Sequence, residues 1–135
     1  MTSYPGYSII HQPVFTSVAG RLFAVEQGQF DLFDLRRVFF IEGPAGSKRG
    51  EHAHRACTQW ISVLSGTVRI TIKDGIQDYV VSPTGFGELV VVNPGLWVEL
   101  DFQEHGTVAV GADRIYEEHD YLRNWEEYLR FRGIG

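Results

Sequence analysis

Short apolar and β-branched runs recur along the first 113 residues, at 22–25, 37–41, 60–64, 67–73, 79–81, 89–92, 96–101 and 108–110. Each has the length and the Val, Ile, Leu and Phe content of a strand on a half-buried sheet. Turn chemistry divides them. Ser65-Gly66 and Asp74-Gly75 carry hairpin signals, and 44–46, 83–85 and 93–95 each combine a proline with a glycine. Many short strands at this spacing predict an antiparallel sandwich or barrel, not a βαβ fold. In 67–73, Thr67, Arg69, Thr71 and Lys73 alternate with Val68, Ile70 and Ile72, giving one polar and one apolar face. The polar face is read as solvated; the competing reading turns it into a ligand-lined lumen.

The period changes near the end of the chain. Tyr121, Leu122, Trp125, Tyr128 and Leu129 fall at i, i+1, i+4, i+7 and i+8, which predicts an amphipathic helix over about 120–131. Asp120 suits the N-cap, Gly133 the stop, and Glu126 with Arg130 a favourable i,i+4 pair. The aromatic stripe is expected to pack on the outside of the sheets. No internal repeat, low-complexity tract or linker interrupts the chain, so residues 1–135 read as one domain with its core over about 20–113.

Composition narrows the partners. A chain of 135 residues with 44 % hydrophobic and 21 % charged residues is globular rather than disordered. A formal charge of −5 argues against coating nucleic acid, while leaving room for a locally basic pocket that takes an anionic small molecule. No apolar run approaches the roughly 20 residues of a membrane helix. The first residues show no secretory pattern, so a cytoplasmic location is expected. The single cysteine, Cys57, agrees with a reducing compartment and reads as a small core or edge residue rather than a nucleophile.

Candidate chemistry concentrates between Gly46 and Gly66. Two residues apart on a strand, His52 and His54 point to the same side while Ala53 points away. An unperturbed imidazole titrates near pH ~6.5, so one of the pair can act as general base while the other orients it or shuttles a proton. Arg49 would lie on the opposite face of a regular strand; Gly50 is expected to break that regularity and bring it beside the pair. A fixed positive charge there suits an enolate oxygen or a phosphate. The bland alternative is a purely architectural histidine pair.

The segment resembles the first motif of the cupin family: a glycine, His-x-His, an acidic ligand four residues on, and a second glycine. Here Gln59 stands where metal-binding cupins carry glutamate. A second motif runs from Gly87 to Val98, with Gly95 in place and Val98 at a histidine position. The resemblance implies a jelly-roll antiparallel β-barrel with a C-terminal helix. Two of four metal ligands remain, which is poor for zinc, iron or manganese, so no metal and no cofactor are expected.

A narrower resemblance rests on Arg37-Val-Phe-Phe-Ile41, Arg49-Gly-Glu-His52-Ala-His54, Gln59, Gly66, Asp74-Gly75, Gly95-x-Trp97 and Asp120-Tyr121-Leu-Arg123. Together these look like the sugar-nucleotide 3,4-ketoisomerases, small WxcM-like cupins acting on dTDP-4-keto-6-deoxyglucose. The resemblance implies a metal-independent shift of the keto group from C4 to C3 through an enediol or enediolate. The product would typically be aminated next by a PLP-dependent enzyme of deoxy-amino-sugar biosynthesis. It implies His52 as base, His54 as its partner and Arg49 as a charge stabiliser. Arg37 and Arg69 are candidates for the diphosphate, with Gln59, Trp97 and Phe39 lining the sugar. Such proteins usually carry a tyrosine at one of the positions held here by Phe39 and Phe40, leaving the proton donor to His54 or another residue; His119 and Tyr121 are further candidates. A homodimer is expected, because open cupin sheets commonly pair edge strands and the N-terminal segment could supply one. Two other classes stay in view: a non-catalytic nucleotide-sugar-binding cupin and a metal-dependent cupin enzyme.

Overall fold

The computed structural model describes residues 2–4, 6–28, 34–81 and 85–134, with side chains from residue 6 onward. The expected turn at 83–85 falls largely outside them. Among the described residues thirteen strands form: β1 (Thr2–Tyr4), β2 (Tyr7–His11), β3 (Phe15–Ser17), β4 (Gly20–Leu22), β5 (Arg37–Gly43), β6 (Lys48–His54), β7 (Gln59–Ser65), β8 (Val68–Lys73), β9 (Asp78–Val81), β10 (Glu88–Val92), β11 (Trp97–Phe102), β12 (Gly106–Ala112) and β13 (Tyr121–Leu122). One helix, α1 (Trp125–Arg132), follows.

Two antiparallel sheets carry most of them, in the orders β1-β2-β10-β7-β12-β5 and β13-β6-β11-β8-β9. Their apolar faces meet. Ile61, Val63, Val90, Val92, Val108 and Val110 from the first sheet pack on Val68, Ile70, Ile72, Val98, Leu100 and Phe102 from the second. This is the jelly-roll arrangement that the cupin resemblance implied, and the alternation along 67–73 falls on its two faces as expected. Val68, Ile70 and Ile72 face the other sheet, and Arg69 is exposed on the outside, paired in register with Asp101. The polar face is therefore the outer one.

Two stretches depart from their sequence expectation. The run 22–25 is not a strand beyond Leu22; Phe23 and Val25 instead cover Trp60, Leu89 and Val91 on the outer face of the first sheet. Apolar residues were needed there as a lid, which periodicity does not distinguish from a short strand. The helix starts later than residue 120. Asn124 is its N-cap, accepting a hydrogen bond from the Glu127 amide at 3.0 Å, and Gly133 closes it in the left-handed conformation. Asp120 ends a 3₁₀ turn (Glu118–Asp120), and Tyr121–Leu122 then pair with His54 and Ala53. Nor do Glu126 and Arg130 form an ion pair among the described residues; Glu127 reaches Arg55 instead, at 3.2 Å.

The helix packs as expected on the outer face of the second sheet, where Tyr128 meets Trp97, Ala53 and Leu122. The buried Tyr128 hydroxyl lies 2.7 Å from the Gly95 carbonyl and 3.1 Å from that of Lys73, tying α1 to the turn before β11 and to the end of β8. Tyr128→Phe keeps the ring and strands those carbonyls, so it should cost about 1–3 kcal/mol in denaturant unfolding. No helix among the described residues is long and apolar enough to cross a membrane.

Candidate active site

The site is built on a bulge. Gly50 has φ +80° and Glu51 φ +59°. Across the ladder, Val98 faces His52 while the next residue, Glu99, faces Gly50, so Glu51 is the extra residue. The slip reverses parity. Val98 and Leu100 both point into the core, and their partners His52 and Arg49 therefore share the inner face. Gly50 breaks the strand's regularity in the way the sequence suggested. A Cβ at Gly50 would sit 2.8 Å from the Val98 carbonyl oxygen. Gly50→Ala should therefore destabilise the fold by more than the roughly 1–2 kcal/mol of a left-handed non-glycine residue, read from the denaturant midpoint.

Both imidazoles are oriented by acceptors. The Nδ1 of His52 lies 3.1 Å from the Gly50 carbonyl oxygen, which can only accept, so Nδ1 carries the hydrogen and Nε2 offers its lone pair. The Nδ1 of His54 donates to Asp120 Oδ2 at 2.8 Å, and Ala56 N donates to Asp120 Oδ1 at 2.7 Å. Burial pushes the Asp120 carboxyl up, but these two hydrogen bonds outweigh it and hold the group below its ordinary range. It stays a carboxylate and fixes the His54 tautomer. The Nε2 of His54 is then bare, buried and without a hydrogen-bond partner among the described residues. Burial and the neighbouring His54 push His52 down to about 4. His54 is also lowered, by burial before all else. Two neutral rings with free Nε2 atoms result, their centroids 5.1 Å apart.

Tyr121 completes the cluster. It lies opposite His54 in the short β13 ladder, its ring centroid 4.3 Å from that of His54 and 5.0 Å from that of His52. Its hydroxyl accepts from Arg37 Nη2 at 3.2 Å. Arg37 sits on β5, the edge of the first sheet, so this bond crosses the opening between the two sheets. Arg123 lies with its Cζ 4.2 Å from the Tyr121 ring centroid and is held bidentately by Glu118, at 2.8 and 3.0 Å. The cleft mouth thus carries guanidinium groups on both rims.

The remaining candidates divide. Phe39 faces inward, with the Arg37 Cζ 4.9 Å from its ring centroid. Gln59 is buried, and with His52, His54, Cys57, Asn93 and Val98 it lines a cavity of about 10 Å³. Arg49 shares the inner face, is exposed, and makes no hydrogen bond or ion pair among the described residues. Two candidates fall elsewhere. Trp97 is opposite Ala53 on the outer face, under α1, its Nε1 donating to Glu99 at 3.0 Å. It does not wall the cleft, because it alternates with the inward Val98. Arg69 points outward by the same parity. His119 is exposed beside Glu117, 3.8 Å away, and lies outside the cluster. The sequence reading missed Asp120, taken for a helix cap. The Asp120-Tyr121-Leu-Arg123 tail was its signal.

Donor chemistry does not fit the four-ligand cupin centre, since Val98 offers no donor and Gln59 offers only a neutral amide. A different trio, His54, Cys57 and Asp120, places its ligand atoms within 4.8 Å of one another. There, however, Asp120 is engaged with His54 and Ala56, and burial pushes the Cys57 thiol up to about 12.

The family model described as "FdtA: WxcM-like, C-terminal" matches residues 5–133. The chain belongs to this WxcM-like family. A curated relative, the TDP-4-oxo-6-deoxy-alpha-D-glucose-3,4-oxoisomerase of Aneurinibacillus thermoaerophilus, is 31 % identical over 116 residues, covering 83 % of this chain and 82 % of that protein. Among solved structures, QdtA, a sugar 3,4-ketoisomerase of Thermoanaerobacterium thermosaccharolyticum in complex with TDP, superposes with a TM-score of 0.88. The two are 26 % identical, with 95 % of each chain covered. A 3,4-ketoisomerase of Helicobacter canadensis also gives 0.88, at 25 % identity, with 94 % of this chain and 97 % of that one covered. A histidine-to-asparagine mutant of QdtA, in complex with TDP-4-keto-6-deoxyglucose, gives 0.89 at 25 % identity with 96 % of each chain covered. Both the jelly-roll fold and the ketoisomerase class expected from the sequence stand with these relatives.

Proposed function

We propose that this WxcM-like protein moves the keto group of a dTDP-linked 4-keto-6-deoxyhexose from C4 to C3 by proton transfer through an enediol or enediolate. The observation that carries this reading is the pair of neutral imidazoles with bare Nε2 atoms at the mouth of a guanidinium-rimmed cleft. A carbonyl acidifies the hydrogen on the adjacent carbon, and a neutral imidazole within reach removes it. His52 is the base. It is the less buried of the two and has no carboxylate partner. His54, held by Asp120, receives or orients the moving proton. The enclosed cavity behind the rings holds about 10 Å³, room for about one water, so the hexose docks on the mouth side. Arg49, on that side, neutralises enolate or phosphate charge; Arg37 and Phe39 contact the sugar nucleotide from the opposite rim, and Gln59 closes the floor.

The test is NMR of dTDP-4-keto-6-deoxyglucose with the protein in heavy water. A 3-keto product carrying deuterium is the expected result, while a nucleotide sugar that binds and stays unchanged overturns the reading. We further infer that the protein works in the cytoplasm as a homodimer. Val38 and Phe40 on the outer face of edge strand β5, and Phe15 and Leu22 on the β3–β4 hairpin, are exposed apolar side chains that a second copy would cover. Sedimentation at micromolar concentration should give twice the 15.3 kDa chain mass.

A further inference from the structure

The isomerisation moves two hydrogens. C3 bearing H and OH beside a C4 ketone becomes a C3 ketone beside a C4 bearing H and OH. One hydrogen passes from carbon to carbon, the other from oxygen to oxygen. His52 accounts for the first. The second requires a group that gives up a proton and takes one back; neither Phe39 nor Phe40 can, and His54 holds its one ring hydrogen at Nδ1 against Asp120, with none at Nε2 to give. We propose that the Tyr121 phenol, held by Arg37, is the catalytic residue that carries the proton between the two substrate oxygens. The inference rests on the ketoisomerase reading and deepens it.

Three observations support the assignment. The first is position: Tyr121 is paired directly with His54, and its ring touches both imidazoles, at 4.3 and 5.0 Å between centroids. The second is donor direction. Arg37 donates to the phenolic oxygen at 3.2 Å, and a guanidinium has donors only. The phenol's own hydrogen is therefore not used by Arg37 and is free to point at substrate. The third is charge. The guanidinium of Arg37 touches the phenolic oxygen and that of Arg123 lies over the ring, so fixed positive charge faces the oxygen that would carry negative charge in the reaction.

The cycle balances without a co-reactant. His52 Nε2 takes the C3 proton, the C–H electron pair becomes the C3–C4 double bond, and the carbonyl π pair moves to O4. The phenol protonates O4 and becomes phenolate. In the second half the phenolate removes the O3 proton, the O3 lone pair forms the new carbonyl, and the C3–C4 pair takes the proton from His52 at C4. Tyrosine and histidine return to their starting states.

The decisive variant is Tyr121→Phe, assayed with dTDP-4-keto-6-deoxyglucose. It should lower kcat by about 10²–10⁴-fold, as removal of a positioned acid or base does, with KM changed little. The wild-type kcat profile should carry an alkaline limb where the phenol ionises. The groups facing it are His52, His54, Arg37, Arg123 and Tyr116, of which Tyr116 alone is another phenol, its ring centroid 5.6 Å away. Tyr116→Phe should keep the limb. Fluorotyrosine at position 121 preserves the ring and makes the phenol more acidic, so the limb should move to lower pH; this variant decides the matter should Tyr121→Phe misfold. A folded Tyr121→Phe protein with wild-type kcat, or a limb indifferent to fluorination, overturns the proposal while leaving the ketoisomerase reading standing. A wild-type protein that binds dTDP-4-keto-6-deoxyglucose and leaves it unchanged overturns that reading itself.

Discussion

His52→Asn is expected to abolish exchange of the C3 hydrogen and with it the isomerisation, a loss of about 10²–10⁴-fold or more in kcat. Asparagine is close to imidazole in size and keeps a polar tip against the Gly50 carbonyl, so folding should survive. What disappears is the lone pair at Nε2. The pH profile of the wild type carries a second expectation. With the ring pushed down to about 4 by burial and by His54, the acid limb of kcat/KM should fall well below the ordinary value of 6.5. The sign for stability follows from the same shift. Between pH 6.5 and 4 the unfolded chain binds a proton that the folded ring refuses, so stability attributable to this group falls as pH drops through that window. An acid limb near 6.5 would show that the base is some other group.

Asp120→Asn should come next in size, with kcat down by about 10²-fold or more, the scale of losing a correctly held proton-transfer group. The carboxylate serves two donors at once, His54 Nδ1 on Oδ2 and Ala56 N on Oδ1. An amide has one oxygen. If that oxygen stays on Ala56, the amide nitrogen faces His54 Nδ1, which must then accept, and the ring hydrogen moves to Nε2. The tautomer inverts, and the free lone pair turns away from the cleft. Asp120 is a positioning residue, so its test needs a readout that loss of stability alone would not move. Nitrogen-15 NMR of His54 supplies one: the protonated nitrogen should change from Nδ1 to Nε2 in the variant and stay at Nδ1 in Asp120→Glu, with activity partly restored. Unchanged tautomer with unchanged kcat would remove Asp120 from the machinery.

The geometry holds two neutral imidazoles with bare Nε2 atoms side by side. Burial alone would leave the imidazoles free to flip and share hydrogens. A backbone carbonyl on one ring and a carboxylate on the other settle both tautomers in the same sense, and each ring discourages its neighbour from charging. The Gly50 bulge then sets which side chains share the inner face. A regular strand through residues 49–54 would turn Arg49 outward and leave the pair without that cation on its face.

Alternation along the chain was enough to determine the sheet faces. Val68, Ile70 and Ile72 against Arg69 and Lys73, His52 with His54 against Ala53, and the helix-breaking Gly133 all follow from period and residue type, because strand geometry acts locally. Trp97 and Arg69, expected at the sugar nucleotide, lie on the outer face instead, because they alternate with the inward Val98 and Ile70. What pattern could not decide was the company the histidines keep. Asp120 is 66 residues from His54, and Arg37 is 84 from Tyr121. Helical spacing from 121 to 129 describes α1 correctly after Asn124, but no local signal marks that Asp120 and Tyr121 first pass along β6 as a two-residue strand. Only the packing of the tail and α1 on the second sheet, which buries Tyr128 and Leu122 against Trp97 and lays Asp120 and Tyr121 along β6, brings a carboxylate and a phenol to the imidazole pair.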